Sequence, residues 1–168
     1  MKHKNTRSHA LKAIILTLAF GVSAPLALGD AQDARVFGVT AAQLLETAKM
    51  AEGDALAYPS LNAPEISQGF ISDLQRFGIS AARLSREIKE IDGPEDFQCI
   101  FRGMAKETGD QLNAISTAQT GADQADALKR LVTMLDDAVM VSEATARTFE
   151  GKAPAIDSST IIGSCSIE

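Results

Sequence analysis

Between Ile66 and Ile91 an apolar residue recurs at every third or fourth position: Ile66, Phe70, Leu74, Phe77, Ala81, Leu84, Ile88, Ile91. Spacing of this kind puts one continuous apolar face on a helix, and a segment of that length would extend about 40 Å. Asp92-Gly93-Pro94 follows at once and both stops this helix and starts the next. So short a connection obliges the two helices to lie antiparallel. A chain that contains such a pair is committed to helix-on-helix packing.

The remainder divides in the same way. Four helical segments are expected near residues 40–58, 64–91, 94–120 and 123–150, an all-α antiparallel four-helix bundle. The first is given Thr40 as cap, Gln43 to close a capping box and Val39 to staple against Leu44. Its apolar face (Leu44, Ala48, Ala51, Ala55) is thin and alanine-rich, so it is expected to sit loosely on the other three helices and open a groove for a partner. Pro59 and Pro64 bracket the connector, and Pro64 suits the first turn of the second helix. The third segment buries Phe97, Ile100, Phe101, Met104, Leu112 and Ile115, and breaks at Gly121. The fourth starts near Asp123, carries Leu128, Leu131, Val132, Leu135, Val139, Ala146 and Phe149, and stops at Gly151 before Pro154. No stretch alternates with period two for long enough to be a strand, and Thr160-Ile161-Ile162 is too short to pair alone.

Residues 1–29 have the character of a secretory signal rather than of a fifth helix. Lys2, Lys4, Arg7 and Lys12 precede an apolar run from Ala13 to Leu28, and Ala27 and Gly29 stand at −3 and −1 of a cut before Asp30. The pair Gly29 and Ala31 would serve a cut two residues later. The run is shorter than the roughly 20 residues that span a bilayer, and Pro25 interrupts it. The expectation is a cleaved signal followed by one domain, residues 30–168, in a bacterial periplasm or secreted, without stable membrane insertion after cleavage. No cysteine at the junction provides a lipid anchor, and no twin-arginine pair directs folded export.

Cleavage would change the chemistry of the chain. It removes both histidines, His3 and His9, and takes Lys+Arg from 16 to 12 against 22 Asp+Glu, a formal net charge of −10. A chain this acidic, with no basic run longer than Lys129-Arg130, is not expected to bind nucleic acid. The absence of histidine from residues 30–168 removes the Glu-x-x-His pairs of di-iron bundles, His-ligated zinc and His-based general base catalysis.

Cys99 and Cys165 are the only cysteines, and export would place them where disulfides persist. The fourth helix should end beside the start of the third, where Cys99 lies in the second turn. With Phe97 at zero on a helical wheel, the core residues fall between about 300° and 60°. Cys99 falls at about 200° and Gly103 at about 240°, both off that stripe. The expectation is an irregular C-terminal tail that crosses the back of the third helix and is tied down by a Cys99–Cys165 bridge, with Gly103 leaving room for Ile161 or Ile162.

Other candidate groups read as structural. Asp136 and Asp137 are adjacent on a helix and point about 100° apart. Glu87 and Glu90 share a side with Arg83, Arg86 and Lys89, the pattern of a salt-bridged exterior. Met50, Met104, Met134 and Met140 show no copper-binding spacing, and of these only Met104 falls clearly on a core stripe. No catalytic, cofactor-binding or metal-binding residues emerge. The function expected is therefore non-enzymatic binding, most simply of an unidentified protein partner. The alternative is a bundle that holds a small ligand or a metal in a cavity between its helices.

Overall fold

A computed structural model describes residues 31–152, and among these the regular secondary structure is entirely helical. Helix α1 is Ala31–Ala57, α2 Gln68–Glu90, α3 Glu95–Thr117 and α4 Gly121–Phe149. The helices alternate in direction and enclose one core. Phe77, Phe97, Phe101, Leu74, Leu84, Ile88, Leu128, Leu131 and Leu135 are fully buried in it.

The joint at residues 91–94 folds as its sequence requires. Asp92 takes the left-handed conformation at φ 52°, and the N–H of Gly93 donates to the carbonyl of Ile88 at 2.8 Å. A Cβ at Gly93 would stand 2.8 Å from Ile88 Cγ2, so the reversal admits only glycine without a shift. Ser85 Oγ then donates to the carbonyl of Gln98 at 2.6 Å, tying α2 to the first turn of α3. At the same end of the bundle, Gly151 takes φ 68° and stops α4.

The first helix departs from expectation in two respects. It is already helical at Ala31, well before Thr40, and the Thr40 hydroxyl donates to the carbonyl of Val36 at 2.9 Å within the helix. The reason is Phe37, whose ring stacks on Phe77 at 4.5 Å and meets Phe101 edge-on at 5.3 Å. That aromatic cluster extends the helix beyond its local signals, a case of packing overriding propensity.

Nor is the alanine-rich face loose. Ala34, Ala41, Ala48 and Ala55 recur every seven residues and are all fully buried, and α1 packs along α4 more extensively than any other pair of helices. Small side chains let the two backbones approach closely. At Gly38 a Cβ would come within 2.1 Å of Ser142 Oγ and 2.7 Å of Ser142 Cβ. The opposite side of α1 has few contacts with α2, and a shallow seam remains there.

The other boundaries move by a few residues. Helix α2 starts at Gln68, capped by Ser67, whose Oγ accepts from the N–H of Phe70 at 3.2 Å. Pro64 belongs to the connector. Helix α3 ends at Thr117, and Gly121 is the first residue of α4 rather than the break before it. Thr120 caps α4 in a reciprocal box with Asp123.

Candidate functional site

The end of the bundle that carries the α1–α2 connector has the least ordinary surface. The connector leaves α1 at Ala57, and Leu61 donates its N–H to the Tyr58 carbonyl at 3.1 Å in a tight turn. It then lies across the α3–α4 junction through three backbone hydrogen bonds: Ala63 N to Gln119 O (3.2 Å), Gly121 N to Leu61 O (3.0 Å) and Ala122 N to Pro59 O (3.0 Å). Asn62 and Thr120 form an isolated antiparallel bridge. Gly121 makes this fit possible, because a Cβ there would stand 2.5 Å from the Ala55 carbonyl oxygen and 2.7 Å from that of Tyr58.

Three large apolar side chains are presented to solvent here, one in the last turn of α1 and two on the connector. Leu56, Tyr58 and Leu61 are 56%, 64% and 60% exposed. Val36, Val39, Met50 and Ile79 are comparably exposed on α1 and α2, and what sets this segment apart is its place beside an uncharged cavity.

Beside the connector, between the start of α2 and the end of α3, lies an open cavity of about 500 Å³. Its apolar wall includes Pro64, Ile66, Ile71, Leu112 and Ile115, and its polar groups are Gln68, Gln75, Asn113, Ser116 and Gln124. None of the lining residues is charged. Gln124 differs from the other four, since it is 2% exposed. Its Nε2 donates to the Pro64 carbonyl at 2.9 Å, while its Oε1 is buried without a hydrogen-bond partner. The orientation of this amide is fixed, because turning it over would set two carbonyl-type oxygens against each other.

A second polar cluster lies at the other end of the α1–α2 seam. Arg83 reaches Asp33 across the helices at 2.6 Å and Glu87 along its own helix at 3.5 Å. Glu87 is half-buried rather than part of an open salt-bridged exterior, and its Oε2 is buried without a hydrogen-bond partner. Desolvation raises its carboxyl above the usual range, aided by Asp33 and Glu90 and opposed by Arg83 and Arg86. Glu90 remains exposed.

Asp137 is half-buried and its carboxyl is raised, first by desolvation and then by Asp136 beside it, while Asp136 is exposed. Met134 proves to be buried like Met104, and its Sδ lies 3.7 Å from Thr108 Oγ1, a gap-filling contact between α3 and α4. Met50 and Met140 are exposed. Among the described residues no three His, Cys, Asp or Glu side chains are placed to hold a metal ion. No helix among them is long and apolar enough to cross a membrane.

Cys99 is half-buried in the second turn of α3, with the Arg102 guanidinium 3.5 Å from its sulfur. Cys165, the tail beyond Lys152 and residues 1–30 lie outside the described residues, as does the expected packing of the tail over Gly103.

Sequence reasoning passes over Gln124, although a signal for it exists. On the wheel of α4 it falls on the same side as Leu128, Leu131 and Leu135, so it is an amide at a core position. Compared with models of known families, with curated proteins and with solved structures, the chain matches none.

Proposed function

We propose that this is an exported, periplasmic, non-enzymatic binding module that engages a protein partner through the connector end of its bundle. The observation that carries the reading is the joint presence there of a rigidly held connector, three exposed apolar side chains and a neutral cavity. On so acidic a chain, an uncharged lining beside exposed apolar groups offers a contact that desolvates little charge, with Asp54 and Glu65 at its edge. In the same reading the signal is removed before Asp30 or after Ala31, and a Cys99–Cys165 bridge ties down the tail.

Native mass spectrometry of the protein purified from the periplasm of its own host tests this directly. The expected species starts at residue 30 or 32, is lighter by two hydrogens for the disulfide, and carries no stoichiometric metal or small molecule. A bound metal or organic cofactor would overturn the reading, and so would a mass that retains residues 1–29. Leu61→Ser with Tyr58→Ser should abolish crosslinking to the partner from a photoreactive group at position 56 and leave the helical content unchanged.

A further inference from the structure

We infer that residues 153–168 run back along the outer groove between α3 and α4, with an isoleucine of this tail seated on Ala144. The proposed function ties the tail to Cys99. The seat on Ala144 goes beyond that bridge and holds with or without it.

Ala144 is buried where the helices alone would leave it in water. It stands nine residues after the core residue Leu135, which puts it about 180° away on the helix. Asp126, nine residues before Leu135, shares that outward direction and is exposed. Ala144 is nonetheless 0% exposed. The change is gradual along the helix. Arg130, Asp137 and Ala144 follow at steps of seven and are exposed, half-buried and fully buried in turn. Thr148, one turn further, is half-buried. Among the described residues α4 packs on α1 and on α3. The side turned to α1 carries Glu143, which Arg35 reaches, and the side turned to α3 carries Met134. Ala144 points about 100° from the first and about 80° from the second, outward from both. Its cover therefore comes from an end of the chain.

The C-terminal end is placed to supply that cover. It departs at Lys152, eight residues past Ala144, a rise of about 12 Å, and the residues that follow reach roughly 50 Å when extended. Cys99 stands at the same level. It precedes Thr108 by nine residues and Ala144 follows Met134 by ten, and Thr108 Oγ1 and Met134 Sδ meet at 3.7 Å between antiparallel helices. A chain that leaves α4 for Cys99 thus crosses Ala144. Gly103 is exposed, with no described atom within 4 Å of its Cβ position, so the path follows the flank of α4 rather than the back of α3. The tail has Ile156, Ile161, Ile162 and Ile167 to offer, and an alanine leaves room for a branched side chain against the helix. The N-terminal end continues instead from α1, and export would remove residues 1–29. With its outer groove filled in this way, the Cys99 end presents no open seam to a partner.

The test is methyl NMR on the full-length exported protein, labelled at alanine and isoleucine methyl groups. A nuclear Overhauser contact is expected between Ala144 and an isoleucine of residues 153–168. It should persist in Cys99→Ser with Cys165→Ser, which separates the seat from the bridge. A native mass without the disulfide would remove the bridge alone. Ala144→Glu should move the tail's isoleucine signals to those of a synthetic peptide of residues 153–168, and Gly103→Lys should leave them in place. Contacts from Ala144 to residues 31–152 only would overturn the inference, and so would tail isoleucines that meet Leu112 or Ile115 in the cavity between α2 and α3. The same holds for a contact that arises only between differently labelled copies, or for a tail released by Gly103→Lys and not by Ala144→Glu. If Ala144→Glu fails to fold, the contact in the cysteine-free protein decides the matter.

Discussion

Gly121 joins three stretches of backbone, and its missing side chain is what lets the connector lie against the start of α4. Gly121→Ala sets a methyl group against the carbonyl oxygens of Ala55 and Tyr58, neither of which can rotate away as a side chain would. A loss of about 1–3 kcal/mol is expected by urea denaturation, as for other overpacked sites. Gly109→Ala is the control, since no described atom lies within 4 Å of its Cβ position on α3. It should stabilise by about 0.5–1 kcal/mol through helix propensity. Glu87 gives a prediction in pH. Its folded carboxyl is raised by desolvation, so its neutral form is the one the fold favours. The penalty is absent below the unfolded carboxylate range and grows as pH rises through the raised folded value. Glu87→Gln should therefore raise Tm at pH 7, and the gain should vanish on acidification to about pH 3. Neither residue announces itself in the sequence. Gly121 reads as a simple helix break, and Glu87 as one charge among several, because the contacts that give them meaning come from α1 and the connector, distant in the chain.

The elements were legible wherever local chemistry decides them. Asp92-Gly93-Pro94 and Gly151 end helices by backbone geometry alone, and the stripe from Phe70 to Ile88 places the core face of α2 residue by residue. Helix α1 shows the limit of that approach. Its start depends on Phe37 finding Phe77 and Phe101, and its alanines are a close-packing seam whose period of seven is visible only once α4 is known to lie alongside. The seam is testable through Gly38. Gly38→Ala drives a methyl group into Ser142 and should cost about 1–3 kcal/mol. Ser142→Gly removes both obstructing atoms and should itself cost about 0.5 kcal/mol in helix propensity. In the double variant the steric part should disappear, so the two losses should fall short of additive in a double-mutant cycle by about 1 kcal/mol or more. Additive losses would mean that the helices already separate at this level and that the seam does not hold α1 in place.

At the scale of the molecule, the proposed function gives the two ends of the bundle different tasks. One end presents the connector, the exposed Leu56, Tyr58 and Leu61, and the neutral cavity. At the other, α2 turns into α3, Arg35 joins α1 to Glu143 and Glu150 near the end of α4, and Cys99 stands half-buried. The proposed Cys99–Cys165 bridge belongs wholly to this second end. It would close a loop of about 66 residues that contains most of α3 and all of α4, and by loop entropy it is worth roughly 4 kcal/mol. Non-reducing peptide mapping should find the two cysteines in one linked peptide. Reduction, or Cys99→Ser with Cys165→Ser, should lower the free energy of unfolding by roughly that amount. Most of this effect is expected in the unfolded chain, so the native contacts should survive. Hydrogen exchange at Ala63, Gly121 and Ala122 should then accelerate only as far as the global loss requires, and affinity at the connector end should not change. Faster exchange at those amides beyond the global loss would show that the bridge reaches through the bundle to the binding end, and the division of labour between the two ends would fail.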